Sequence, residues 1–418
     1  MRPLVNAYLN GWSGTVRQGQ ATRVPGPADV DRAGRWLRSA VRRTLPGPQG
    51  MIVGMWENNG VRRGRMRYRL TDTENDRSWG SCYEVEGLFG EPVRETYELF
   101  GWAPESPGEP WRSGGRVWLV PQDTALGPWL LEDVEGLGPH PGTDGPVLTG
   151  TDDYEGPPLG YRGPVRLHDE YRLLGGCREF ARVLRVEEAQ PLLVLRGFAP
   201  GEAMRQVLAK GTRRALTLGE AELEIRDDLG DRLTERSMWP TVGGRRPSSL
   251  GADLIDMELD LDGSPFAVVP AHARPVWDRW RAGPPRARGA WVGLGTRQRD
   301  TWLDLVRERG CRPAHHDRSG GAYELDGRHV TDVPGLYLAL GEAVNGPGGY
   351  FGGCLDAVAD CLRGGFGHAA GPSTLLWRGS ATAHEHLSHV LAPDGHPYDL
   401  VAEVLGVLSQ GGMRVAFA

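Results

Sequence analysis

The chain has 418 residues and a single lysine, Lys210, among 48 basic side chains. Arginine therefore carries nearly all the positive charge, and with 61 glycines and 32 prolines it reflects a GC-rich coding sequence, so its abundance says nothing about nucleic acid. Long apolar runs are missing too. No stretch approaches the ~18 residues of a membrane span, and Asn6, Asn10 and Gly11 stand where a secretory signal needs an apolar core. A cytoplasmic protein with no membrane partner is expected. Cys82, Cys177, Cys311, Cys354 and Cys361 are odd in number and widely spread, with no C-x-x-C pair and no zinc-like spacing. They read as reduced, mostly buried thiols rather than metal ligands.

Signatures of catalysis are equally scarce. No G-x-S-x-G, H-E-x-x-H or Cys-His nucleophile pattern occurs. Gly346-Pro347-Gly348-Gly349 is not followed by the G-K-S/T of a phosphate cradle. In the cluster His384, Glu385, His386, His389 only His386 and His389 share a helix face, which makes a poor metal site, and His315-His316-Asp317 falls in a linker. No cofactor, metal or catalytic residue is expected, although an active site dispersed over the first 321 residues would leave no such signature.

A prior of ~150 residues per domain divides the chain into two to four units. Proline and glycine clusters at 103–115, 138–164, 240–252, 282–289 and 312–321 punctuate it and suggest an α+β segment over 1–137, a second α+β region over 165–311, and a C-terminal domain over 322–418. The first segment reads as a helix at 28–45 and strands at 51–56 and 66–70. The second reads as strands at 191–198, 222–226, 254–261 and 266–269, with helices at 203–209 and 297–309. One internal echo links them: R-L-T-D from Arg69, followed by Gly80-Ser81-Cys82-Tyr83-Glu84, against R-L-H-D from Arg166, followed by Gly175-Gly176-Cys177-Arg178-Glu179. The two spacings differ by two residues, and both duplication and chance are compatible with that.

The last segment holds the charge imbalance. From Ala322 onward there are ten acidic and four basic residues, leaving 44 of each in the first 321 and placing the whole net charge of −6 here. Such a module favours a basic protein partner and disfavours a phosphate backbone, so direct nucleic-acid binding is not expected. A strand at 323–325, a helix capped by Asp332 with Leu336, Leu340 and Val344 on one face, strands at 374–377 and 413–417, and helices at 382–389 and 399–410 alternate. Strands separated by helices pair in parallel, giving an α/β domain with a small three-stranded parallel sheet packed by helices. Between the elements lies a short amphipathic helix. At ~100° per residue, Cys354, Leu355, Val358, Cys361 and Leu362 share one face while Asp356, Asp360 and Arg363 project from the other.

These residues resemble the barstar family of intracellular ribonuclease inhibitors over about 322–418. The likeness rests on Tyr350-Phe351-Gly352 followed by L-D-A-x-x-D-C-L at 355–362 and Gly364, supported by L-D-G at 325–327, Trp377-Arg378 and the terminal apolar strand. The resemblance implies that the aromatic-glycine loop and the helix aspartates plug the active site of a basic ribonuclease, an extracellular type or a toxin. It implies that Asp360 imitates an RNA phosphate and Asp356 is the flanking acidic contact. Tyr350, with Phe351 and Gly352, would pack on the enzyme's rim, and Gly364 would give a close backbone approach. Cys354 stands where the family has a contacting asparagine, Ala359 and Gly365 where it has tryptophans, and Val407 where it has a glutamate; the loss of aromatic anchors implies a different target ribonuclease or a lower affinity. The alternative is an enzyme or sensor working through residues 1–321, with the barstar-like module as a protein-docking domain.

Overall fold

The computed structural model describes residues 66–418 except 91–93, 107–114, 124–125, 127, 140–144, 153–156, 158–159, 184–191, 211–215, 262–268, 311–317, 365–368 and 371. The expected helix at 28–45 and strand at 51–56 lie outside the described residues, as do Gly365 and His315-His316-Asp317. No described helix is long and apolar enough to cross a membrane.

Most of the described residues between 66 and 261 form antiparallel sheet, built from short runs that bury alternate side chains, as Ala221–Arg226 does. Tyr68–Asp72 pairs with Arg77–Cys82 on one side and Ala221–Arg226 on the other. Arg77–Cys82 runs on into Glu84–Glu86, and both pieces pair with Leu193–Pro200, which pairs with Ile255–Asp260. That strand pairs with Thr241–Pro247, the continuation of Arg232–Met238, which returns to Ala221–Arg226. The pairings close into a ring, a first barrel.

A second ring closes in the same way. Glu95–Phe100 and Ala103–Pro104 form one kinked run, as do Leu173–Cys177 and Glu179–Arg182, and the two runs pair in a single register, Glu179 opposite Phe100 and Gly176 opposite Ala103. From Glu95–Phe100 the ring passes through Pro146–Asp152, Trp129–Pro139, Gly115–Pro121 and Val165–His168, then back to Leu173–Cys177. Its interior is filled by Tyr97, Leu99, Val117, Leu119, Leu131, Leu148, Leu167 and Phe180.

Along the chain the same strand order occurs twice, over residues 68–152 and 165–260. The first two strands of each stretch complete the barrel formed by the last four strands of the other. The echo seen in the sequence marks the matching positions: Leu70 opposite Gly80 and Tyr68 opposite Cys82 in one barrel, Leu167 opposite Gly175 and Val165 opposite Cys177 in the other, each followed by a register shift. Gly80 and Gly175 have φ of 153° and 149°. A Cβ on them would stand 2.4 Å from the Ala199 carbonyl and 2.3 Å from the Ala103 carbonyl, respectively, so the crossing strands need glycine there. The turns match too. Asp72 Oδ1 accepts from the amides of Glu74 and Asn75 and Asp72 Oδ2 from Arg77 Nε, just as Asp169 accepts from Tyr171, Arg172 and Arg172 Nε. The sheets therefore do not follow the expected segments 1–137 and 165–311, since strands of one pair with strands of the other.

The helices are α1 (Glu202–Ala209), α2 (Arg274–Arg281), α3 (Thr296–Gly310), α4 (Val333–Asn345), α5 (Leu355–Arg363), α6 (Ser380–Leu387) and α7 (Leu400–Gln410). A parallel sheet of β1 (Ala322–Asp326), β2 (Ser373–Arg378) and β3 (Met413–Phe417), with β2 central, carries α4 to α7 between its strands. Asp332 and Asp399 cap α4 and α7 by accepting from Gly335 N and Ala402 N. Helix α4 is buried along almost its whole length, because α3 covers the side that its own domain leaves open. The clamp between them is polar and buried: Arg299 Nη1 reaches Asp332 Oδ2 at 3.1 Å and Thr331 Oγ1 at 3.0 Å, and Thr296 Oγ1 donates to the same carboxylate at 2.9 Å. The apolar core runs unbroken from the first barrel through Trp280, Trp302 and Leu305 into this C-terminal domain.

Candidate functional site

Helix α5 begins at Cys354, which supplies no side-chain cap, and ends at Gly364, whose φ of 92° stops it. Val358, Cys361 and Leu362 are buried beneath it, and a Cβ at Gly411, just past α7, would stand 2.7 Å from Leu362. With that face fixed, Asp356, Ala359, Asp360 and Gly364 follow one another at helical spacing along the partly exposed side. Asp356 lies in the first turn, where the helix dipole favours a carboxylate. Asp360 is paired with Arg363 one turn on, and the two side chains are 48% and 75% exposed. Exposed pairs of this kind contribute ~0–1 kcal/mol, so the carboxylate remains open to exchange.

The loop before the helix is placed differently from the expectation. Tyr350 and Phe351 are 8% and 0% exposed and belong to the core, so neither ring is presented to a partner in this conformation. Both lie in the apolar core, with α4 close by, where a Cβ at Gly341 would stand 3.3 Å from Phe351 N, while Trp280 and Pro285 close on Gly348, where a Cβ would lie 2.7 Å from Pro285 Cγ. Asn345 Nδ2 donates to the Tyr350 carbonyl at 2.6 Å, and Gly289 N donates to the buried Glu342 carboxylate at 2.7 Å, whose pKa burial raises. Gly352 is buried, closed against the Val358 backbone. Cys354 is half-buried, and burial raises its thiol pKa. Val407 is partly buried against the core.

Residues 322–392 match the family model Barstar (barnase inhibitor). The match covers a minority of the chain and leaves both barrels outside it. No curated protein and no solved structure matches the chain. The barstar-like segment thus contains α4, α5, the central strand and the aspartates of the exposed face, within a three-stranded parallel sheet.

Two residues near this face fall outside the matched segment. A Cβ at Gly353 would stand 3.7 Å from Leu303 Cδ2 of α3, and Arg307, one turn along α3, acts electrostatically on Cys354. Their only sequence signal is the helical pattern at 297–309, which says nothing about where that helix docks.

A concave region lies where both barrels meet α3. It is a cavity of about 240 Å³, with Asp300, Asp304 and Glu308 along one side of α3 and Arg116, Asp133 and Arg236 among the residues opposite. Burial pushes the Asp300 carboxyl up to about 7, against the pull of Arg116. Among the described residues no group of three or more His, Cys, Asp or Glu is arranged to hold a metal ion.

Proposed function

We propose that this chain is a ribonuclease inhibitor, without catalysis of its own, that lays helix α5 into the active-site cleft of a basic ribonuclease. The observation that carries the reading is the pair Asp356 and Asp360, one turn apart on the outward side of a helix whose other side is locked in the core, inside the Barstar-matched segment. A ribonuclease holds an anionic transition state with arginine, lysine and histidine, and rigid carboxylates satisfy those groups through charge-assisted hydrogen bonds. Because α5 is already ordered, little conformational entropy is lost on docking. Asp360 exchanges Arg363 for a cation of the enzyme, and Asp356 flanks it.

Calorimetric titration of the full chain with barnase tests this. The variant Asp360→Ala is expected to lose about 2–5 kcal/mol of binding energy. Equal affinity of variant and wild type contradicts the reading.

The polar cavity favours a second reading, a ligand-binding or catalytic role for the region before residue 322 with the barstar-like segment as a docking module. A carboxyl titrating near neutrality in a cleft is where proton transfer is found. A fragment screen by thermal shift, repeated on Asp300→Asn, decides it: stabilising ligands lost in the variant support this role, and their absence counts against it.

A further inference from the structure

The docking face does not end where the family match ends. Leu303 packs against the core and lies beside Gly353, the residue two before the start of α5. Residues four apart on a helix are neighbours on one side of it, ~5–6 Å between Cβ atoms, so Arg307 continues the line from Leu303 along the flank of Cys354. Its side chain is 56% exposed and pairs with Asp304 at 3.2 Å, itself 58% exposed. The electrostatic influence of Arg307 on the Cys354 thiol agrees with that placement. Helix α3 is not a loose neighbour, since the buried Arg299–Asp332 pair pins it to the start of α4.

Resting on the ribonuclease reading above, we infer that the docking face extends onto α3, where Arg307 stands at its rim as a cation opposing a basic enzyme and narrowing the set of ribonucleases accepted. A ribonuclease brings cations to Asp356 and Asp360. An enzyme whose positive charge spreads onto the rim meets Arg307 as a like charge, whereas one with an acidic group at that point gains a partner. Rim charges act mainly on the association rate and its salt dependence.

The test uses the full chain and barnase as the probe, with association followed by stopped-flow at low and physiological salt. Arg307→Glu is expected to associate at least about threefold faster than wild type at low salt and with a steeper salt dependence, and Arg307→Ala to fall between them. Arg205→Glu, the same charge change on exposed α1 against the first barrel, is the control and is expected to match wild type. Equal rates for Arg307→Glu and Arg205→Glu overturn the extended face while leaving the ribonuclease reading intact. If Asp360→Ala also associates and binds like wild type, or wild type binds neither barnase nor another microbial ribonuclease, that reading falls and this inference with it.

Discussion

The two barrels have the same pairings, the same glycine crossing and the same aspartate turn, yet only one of these turns docks the barstar-like domain. In the first barrel Thr71, beside Asp72, donates to the Glu222 carbonyl of its own sheet at 3.3 Å. In the second, the matching His168 is buried, stacks on Trp118 and meets the Pro393 carbonyl at 3.1 Å, while Leu391 N donates to Glu170 O at 2.5 Å. A histidine in place of threonine and the carbonyl of Glu170, in a turn two residues shorter, separate a turn that serves its own sheet from one that holds the Val390–Leu391 and Pro397–Tyr398 hairpin. The repeated frame supplies the scaffold, and a few residues specify what it holds.

The strongest way to break the comparison is at its shared element. Gly80→Ala and Gly175→Ala both push a Cβ into a backbone carbonyl, and each is expected to cost about 3 kcal/mol in denaturant unfolding. A large effect at one site and none at the other would show that the barrels are not equivalent. Next, His168→Thr gives the second turn the residue of the first. It is expected to cost about 1 kcal/mol and to speed hydrogen exchange at the Leu391 amide, whereas Thr71→His leaves that amide unchanged.

The pH response sharpens the same contrast. Burial pushes the His168 imidazole below its usual range, against the Pro393 carbonyl, Asp169 and Asp394. A depressed folded-state pKa means that the unfolded chain binds protons first, so this contribution is full above the unfolded value of ~6.5 and is lost as pH falls through the folded pKa. Exchange at Leu391 should therefore accelerate as pH falls below ~6.5, after correction for intrinsic rates, and this acceleration should vanish in His168→Thr. The smallest effect is at the turns. Asp72 is pushed up by burial, but the Asn75 and Arg77 hydrogen bonds outweigh this and hold it below the usual carboxylate range. Its contribution is present above the unfolded value of ~3.9 and lost as pH falls through the lower folded pKa. Asp72→Asn should flatten acid unfolding there by up to about 1 kcal/mol.

Much of the C-terminal domain was legible in the sequence, because its strands are short apolar runs and its long helices open on Asp332 and Asp399. The strands expected at 323–325, 374–377 and 413–417 fall within Ala322–Asp326, Ser373–Arg378 and Met413–Phe417. The barrels were not legible. Strands such as Arg77–Cys82 and Glu95–Phe100 pair with Leu193–Pro200 and Glu179–Arg182, partners a repeat away that no local pattern encodes. Only R-L-T-D and R-L-H-D with their glycines signalled the duplication. At the site, the helix faces followed from spacing alone. The burial of Tyr350 and Phe351 did not, because it is set by the tertiary core into which the loop folds.

The central claim is that Asp356 and Asp360 together block a ribonuclease. Hydrolysis of RNA by barnase, titrated with the full chain, tests it most directly: wild type is expected to inhibit at near-stoichiometric ratio, and Asp356→Ala/Asp360→Ala to require at least about a hundredfold more protein. Superimposable titrations for the two proteins would contradict it.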